Sequence, residues 1–284
     1  MKGVRQGPAH KQAAIAAGRR KIMKKKLALL VTMAMVLGLT ACGSSSSGGS
    51  GDAEPAVPET KNEADTEKGE GVMTYEEYMA AELDTEVVVE TYIQAKQGWW
   101  EDAGQGKASF YTQDADGAYF LFDMPCTEEE YGQLAAGTKI KVTGYKSEWS
   151  GETEITEGKF EIEEGSYIAD AVDVTDKLGT DDLINYQNQY VTFKGLTVEP
   201  AAEGSEDAYM YNWDGSGSEG DDLYFNVSLN GQTYSFTVES YLCGPDTDVY
   251  KQVKELKVGD VVDLNGYLYW YEGPNPHITV VTVQ

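Results

Sequence analysis

A nine-residue segment of this sequence recurs 122 residues further along the chain, and no other feature constrains the fold as strongly. The segment GTKIKVTGY at 137–145 corresponds to GDVVDLNGY at 259–267. Each copy begins with Gly, alternates apolar and polar residues like a half-buried strand, and ends in Gly-Tyr. At the same offset, Trp149 corresponds to Tyr271. The repeat predicts two copies of one small β domain.

Each copy is predicted to contain three strands, a short helix and two more strands. The helix signals are capping boxes such as Thr74 with Glu77, and the clearest hairpin signal is Asn230-Gly231. In the first half we predict a helix over 74–83, strands at 86–95, 107–113 and 118–124, a helix from 127 to about 137, and strands at 139–146 and 151–163. In the second half we predict strands at 189–199, 223–229 and 233–240, a helix over 247–256, and strands at 260–270 and 277–283.

This order of elements is that of the OB fold, a five-stranded barrel. The segments SFYTQDADGAYFLF, GTKIKVTGYKSEWSGETEI and VGDVVDLNGYLYWYEGPNPHITVV resemble the OB-like domains of secreted and surface proteins of bacteria. The resemblance implies an all-β chain with short helices, built as two tandem five-stranded OB-like barrels. Related domains accompany extracellular nucleases and also occur in lipoproteins without a catalytic module. No nuclease module is found in this sequence, so that activity is not carried over.

The N-terminal segment 1–41 has the pattern of a lipoprotein signal peptide. A basic stretch, Lys24 to Lys26, precedes twelve apolar residues at 27–38 and then Leu-Thr-Ala-Cys42. Twelve residues are fewer than the roughly 20 that a membrane-spanning helix needs, and they suit a cleaved signal. The ending resembles the bacterial lipoprotein box, which implies a diacylglycerol on Cys42. A signal peptide with an unmodified Cys is the alternative, and Met23 starts a more ordinary signal than Met1 does.

The rest of the chain divides into a linker and two domains. Residues 42–71 comprise the lipidated Cys and a Gly/Ser-rich linker without apolar periodicity. We predict the first OB-like domain at 72–165, a connector at 166–188 and the second OB-like domain at 189–284. A Gly/Ser linker directly after such a box resembles those of lipoproteins in Gram-positive bacteria. It predicts that the protein is anchored on the extracytoplasmic face of the cell membrane.

The charge distribution disfavours nucleic acid as a partner. The chain holds 22 Lys and Arg against 48 Asp and Glu. Nine of the basic residues and no acid lie in 1–41, so the remainder has 13 basic residues and a net charge of −35. All 13 are Lys, whereas Arg is the usual reader of phosphates and guanine edges. Such a body repels polyanions.

Aromatic residues are the candidate binding residues, because OB folds bind on strands 2–3 and neighbouring loops. Aromatic rings exposed there can stack on sugar rings or bases. The alternative for each is a place inside a small barrel, which large side chains fill. Adjacent strand residues point to opposite faces, so two neighbouring Trp cannot both enter one core. The candidates are Trp99, Trp100, Tyr111, Trp149, Tyr211, Trp213 and Trp270.

Other reactive groups offer no pattern for catalysis, a metal or a cofactor. The Asp114-x-Asp116-Gly pattern is read as a β-turn in preference to a calcium loop, and the acidic loop 214–222 lacks a calcium-loop pattern. Cys126 and Cys243 occupy corresponding places, which favours two separate thiols over a disulfide. His277 is read as a hydrogen-bonded turn residue. We expect no enzyme activity, no metal and no cofactor.

The sequence therefore predicts a membrane-anchored, non-catalytic binding module whose ligand is a carbohydrate or a protein. A structural or interaction component of a cell-surface complex is one alternative. Binding of single-stranded nucleic acid, by fold analogy and against the charge, is the other.

Overall fold

A computed structural model describes residues 63–284. These residues belong to one compact unit of two β-barrels joined side by side. The predicted signal peptide, Cys42 and most of the predicted linker lie outside the described residues. None of the helices within 63–284 has the length and apolarity needed to cross a bilayer.

The first barrel closes five strands in the order β1-β5-β6-β4-β3, with β3 pairing back onto β1. A short strand, β2, extends it at the β3 edge. Helix α1 (Tyr75–Ala80) precedes it, and helix α2 (Glu128–Gln133) joins β4 to β5. Its strands are β1 (Glu86–Lys96), β2 (Trp100–Asp102), β3 (Gln105–Gln113), β4 (Ala118–Pro125), β5 (Thr138–Trp149) and β6 (Glu152–Ser166).

The second barrel repeats this topology with the order β8-β12-β13-β11-β10, closed by β8 pairing with β10. Two extra strands, β7 and β9, flank it, and helix α3 (Asp248–Glu255) joins β11 to β12. Its strands are β7 (Val172–Asp173), β8 (Tyr190–Glu199), β9 (Tyr209–Tyr211), β10 (Leu223–Leu229), β11 (Gln232–Val238), β12 (Val261–Tyr267) and β13 (His277–Val283). The predicted fold class, two tandem five-stranded OB-like barrels, is confirmed.

Local sequence signals fix the ends of several elements. Thr74 and Thr127 both form complete capping boxes with the Glu three residues later, as predicted. Asn230 and Gly231 both have positive φ, at 52° and 81°, which a tight hairpin turn between twisted strands requires. Side-chain Oδ1 of Asp114 accepts hydrogen bonds from two amides of its own turn, so the turn interpretation is confirmed.

The repeated glycine marks a place where two strands approach closely. Gly144 and Gly266 each lie at a β-bulge against the last strand of their barrel. A Cβ on Gly144 would lie 2.6 Å from Ile155 Cγ2, and one on Gly266 would collide with the backbone of His277. The repeat is therefore explained by closure of each barrel.

The sequence prediction missed β2, β7 and β9, each of only two or three residues. These strands are too short to show periodicity, and neighbouring strands impose them. The connector contains two 3-10 helices, Thr175–Lys177 and Asp181–Tyr186. Within the segment interpreted as linker, Lys68 Nζ lies 2.6 Å from Asp114 Oδ2, so contact with the first barrel begins before Val72.

Candidate functional site

The strand 2–3 face of the first barrel is covered by the second barrel. The face is formed by β3 and β4, and its rings Tyr111 and Phe120 are completely buried. Tyr111 stacks on Tyr267 of the second barrel with ring centroids 4.5 Å apart, and Phe120 meets Tyr269 edge-on at 5.4 Å. We call this contact between the barrels the seam. The first barrel cannot bind a ligand on this face while the seam is closed.

Hydrogen bonds reinforce the seam at its centre. The Tyr111 hydroxyl lies 2.8 Å from His277 Nδ1. The backbone N–H of Trp270 donates to Glu152 Oε2 at 2.8 Å. These bonds join strands β3 and β6 of the first barrel to the β12–β13 region of the second.

Further hydrogen bonds close the edges of the seam. The Gly98 N–H donates to the Tyr241 carbonyl at 2.9 Å, and the Glu272 N–H donates to the Ser150 carbonyl at 2.7 Å. Both loops of the first barrel that flank its strand 2–3 face are therefore engaged by the second barrel.

Burial in the seam shifts the pKa values of three side chains. The pKa of His277 falls to about 3, because burial disfavours the imidazolium. Burial raises the pKa of Glu152 well above its usual range, and hydrogen bonds from Asn188 and Trp270 offset this only in part. Burial, helped by the charge of Asp123, raises the pKa of Glu154 to about 7.

The corresponding strand 2–3 face of the second barrel is open over part of its length. Alternate residues of β10, Leu223, Phe225 and Val227, are buried in the barrel core, so the residues between them point outwards. The outward cross-strand pairs of β10 and β11 are Tyr224 with Thr237, Asn226 with Ser235, and Ser228 with Thr233. Thr237 is buried and Tyr224 is half-buried, so the accessible part of this face lies towards the β10–β11 turn. It comprises four residues that carry hydroxyl or amide groups and no charge, Asn226, Ser228, Thr233 and Ser235. We call these four residues the open face.

Hydrogen bonds hold some of these groups in place. Asn226 Nδ2 donates to the carbonyls of Pro200 and Ala201 at 2.9 and 3.1 Å. Ser228 Oγ donates to Glu199 Oε1 at 2.6 Å. Ser235 and Thr233 are exposed. The face thus combines fixed polar groups with accessible hydroxyls.

Trp213, in the loop that follows β9 of the second barrel, is the most exposed large apolar side chain of the described residues, at 59%. It follows β9, whose Tyr211 pairs with Leu223 at the start of β10. The loop that carries it is held by its own bonds: Asp221 Oδ2 accepts from Ser218 N, and Tyr250 of α3 donates to the Asp221 carbonyl. Trp213 is therefore presented by an anchored loop.

The other predicted aromatic residues have structural contacts. Trp99 packs against the core of the first barrel, and its Nε1 donates a hydrogen bond to the Cys126 carbonyl at 3.0 Å. Trp100, on β2, lies beneath the Lys107 side chain, whose Nζ is 5.5 Å from the centre of the ring. The Tyr211 hydroxyl donates to Glu219 at 2.6 Å.

Trp149 and Trp270 are half-buried near the seam, where a Cβ on Gly151 would lie 2.8 Å from Trp270. Tyr111, which we predicted to bind ligand, is completely covered by the second barrel in this structure. The predicted aromatics do not converge on one site.

The remaining predicted groups also have defined places. Cys126 and Cys243 are both free and buried, as favoured from the sequence. Burial raises their pKa values to about 11 and about 12, which makes them poor nucleophiles. His277 is hydrogen-bonded as predicted, but in the seam and not in a turn. Within residues 63–284 no group of three or more Asp, Glu, His or Cys side chains is arranged to hold a metal ion.

The sequence prediction missed the polar residues of the open face. Their signal is the alternation in LYFNVSL, where Tyr, Asn and Ser separate four apolar residues. That alternation shows which side chains leave the core. It cannot show whether the outward side meets solvent or another barrel.

Comparisons with known proteins give no family. No family model matches the chain, and no curated protein matches it. Among solved structures, the chain is similar to a murine DNA-binding protein bound with double-stranded DNA, at 11% identity over 69% of this chain and 94% of that one, with a TM-score of 0.33. A single-stranded DNA-binding protein of Thermus aquaticus matches at 12% identity over 71% and 95% of the two chains, with a TM-score of 0.24.

A replication protein A heterotrimer bound to single-stranded DNA matches at 11% identity over 70% of this chain and 49% of that one, with a TM-score of 0.30. TM-scores of this size leave most of the geometry unmatched. The fold assignment therefore rests on the strand pairings of this chain.

Proposed function

We propose that this protein is a lipid-anchored, extracytoplasmic, non-catalytic binding module that presents the open face and Trp213 of its second barrel to a carbohydrate. The observation that carries the proposal is the contrast between the two equivalent faces. The first is buried in the seam, whereas the second has exposed Thr233 and Ser235, and the same barrel carries Trp213, which is 59% exposed.

The chemistry of the open face favours a saccharide. Asn, Ser and Thr side chains both donate and accept hydrogen bonds, which matches the hydroxyl groups of a sugar. An exposed indole ring can cover the apolar side of a sugar ring, and binding sites generally combine aromatic surface with a few placed polar groups. None of the four residues of the open face is basic, and the net charge of −35 beyond residue 41 opposes a polyanionic ligand.

The proposed location rests on the sequence. Basic, apolar and small-residue segments precede Cys42 in the order of a lipoprotein signal. Cys42→Ser removes the sulfur that would carry the lipid, so the chain should leave the membrane fraction or accumulate as precursor. Unchanged processing and membrane attachment would rule out the anchor.

The binding proposal is tested with the full chain in detergent against a glycan array. Trp213→Ala should weaken binding of any sugar that is captured by at least ~2 kcal/mol, about 30-fold in Kd, as for a Trp at the centre of an interface. Ser235→Arg places a bulky side chain on the open face and should weaken the same interaction.

Tyr145→Ala is the matched control, because this ring is 40% exposed on the first barrel, away from the open face. If Trp213→Ala and Ser235→Arg bind sugar as well as the parent chain does, the proposed site is wrong. If no glycan binds but a protein copurifies in detergent extracts and is lost with Trp213→Ala, the ligand is a protein. Tight binding of single-stranded DNA at ordinary salt would overturn the electrostatic argument.

A further inference from the structure

A buried carboxylic acid at the centre of the seam has no compensating cation. Glu152 is completely buried on β6, and its Oε2 accepts the backbone N–H of Trp270 from the other barrel. Its Oε1 has no hydrogen-bond partner among the described residues, and neither do Oδ1 of Asn188 and Nε1 of Trp149. The polar groups around this carboxyl are thus incompletely satisfied.

The groups around Glu152 are acidic or neutral. Glu154 on the same strand and four tyrosines, two from α1, one from β3 and one after β12, interact with its charge: Tyr75, Tyr78, Tyr111 and Tyr269. The neutral groups are the amides of Asn188 and Trp270. No salt bridge to Glu152 occurs among residues 63–284.

The two protonation states of Glu152 therefore have opposite effects on the seam. A protonated carboxyl is uncharged and carries an O–H that can donate to an unsatisfied acceptor. An ionised carboxyl is a buried charge without a counter-ion, which is costly in an apolar setting. The N–H that the carboxyl accepts belongs to Trp270 of the second barrel, so the charge state of Glu152 acts directly on a contact between the barrels.

We infer that the seam is a proton-controlled latch, in which protonated Glu152 keeps the second barrel over the β3–β4 face and ionisation of Glu152 releases it. Release would expose Tyr111 and Phe120 on the strands that OB folds use for binding. The chain would then gain a second binding surface, apolar and aromatic, beside the polar open face. This inference does not depend on the proposed sugar-binding function.

The direction of the pH response follows from burial. Burial raises the pKa of Glu152 well above its usual range, and the pKa of neighbouring Glu154 rises to about 7. A carboxyl with a raised pKa in the closed state stabilises that state fully at pH below its ordinary pKa, and this stabilisation is lost as the pH rises through the raised value. Above pH 7, where His277 is neutral whether the seam is closed or released, the seam should thus loosen as the pH rises.

Amide hydrogen exchange of the full chain between pH 7 and pH 9, where His277 does not titrate, tests the latch. Four amides donate across the seam, those of Gly98, Tyr190, Trp270 and Glu272. After correction for intrinsic exchange rates, their protection should fall about tenfold or more with rising pH, since one unit of pKa difference is a tenfold change in equilibrium. Amides inside each barrel should keep their protection.

Glu152→Gln replaces the acid with a neutral group of the same shape, so cross-seam protection should lose most of its dependence on pH, with only the part due to Glu154 remaining. Glu161→Gln is the matched control, because Glu161 is exposed on the same strand, and it should retain the pH response. If the Gln variant does not fold, Glu152→Met supplies an apolar replacement of similar length with the same expectation. A wild-type seam whose protection is constant with pH, an equal fall inside the barrels, or an unchanged response in the Gln variant would each overturn the latch.

Discussion

Replacing His277 by Asn should remove a large part of the acid sensitivity of this protein. His277 is buried in the seam, its Nδ1 lies 2.8 Å from the Tyr111 hydroxyl, and its ring stacks on Tyr269 at 4.6 Å. Its pKa is lowered from 6.5 to about 3 by burial alone. A group with a lowered pKa in the folded state stabilises that state at pH above its unfolded pKa of 6.5. This stabilisation is lost as the pH falls through 6.5 towards 3.

The magnitude follows from the two pKa values. At pH 7.5 the imidazole is neutral in both states, so it contributes no pH dependence. At pH 5 almost every unfolded chain has a protonated His277, whereas the folded chain does not. Linkage then gives a loss of about 2 kcal/mol in the free energy of unfolding between pH 7.5 and pH 5. With a urea m-value of about 2 kcal/mol/M, the midpoint falls by about 1 M.

Urea unfolding at both pH values, followed by Trp fluorescence, measures the effect. His277→Asn keeps a hydrogen-bond acceptor for Tyr111 and cannot titrate. Its stability at pH 7.5 should be lower, because the ring is lost, but its fall between pH 7.5 and pH 5 should be about 2 kcal/mol smaller than in the parent chain. Tyr111→Phe is the control, since it removes the hydrogen bond and leaves the imidazole to titrate. If the free energy of unfolding falls between pH 7.5 and pH 5 by the same amount in the parent and His277→Asn chains, within about 0.5 kcal/mol, the reasoning is refuted.

Two further predictions concern the barrels themselves. Gly266→Ala should lower the free energy of unfolding by about 1–3 kcal/mol, because the added Cβ collides with the backbone of β13. The control is Gly132→Ala on α2, where no atom lies within 4 Å of the new Cβ; it should be neutral or stabilise the protein by up to about 1 kcal/mol. Equal effects of the two substitutions in urea unfolding would contradict the close-approach explanation. Asp114→Ala should lower the free energy of unfolding by about 2–4 kcal/mol, because the buried carboxylate accepts hydrogen bonds from two turn amides and pairs with Lys68. A thermal midpoint within 2 °C of that of the parent chain would show that the turn does not depend on this side chain.

Much of the fold can be predicted from the sequence because it is encoded locally. Two predicted strands, 223–229 and 277–283, match β10 and β13 at both ends. The capping boxes at Thr74 and Thr127 and the turn at Asn230 act through neighbouring residues only. The repeated Gly-Tyr segment predicted two similar barrels, and the structure confirms them.

The candidate site could not be predicted in the same way, because long-range packing decides it. Tyr145 and Tyr267 occupy the same position in the repeat, yet Tyr145 is 40% exposed and Tyr267 is buried against Tyr111. Alternation along a strand tells which side chains leave a barrel core, and the sequence alone determined that much. Only the tertiary structure decided which outward face a second barrel covers, because burial there depends on contacts between residues more than 150 positions apart, such as Tyr111 and His277.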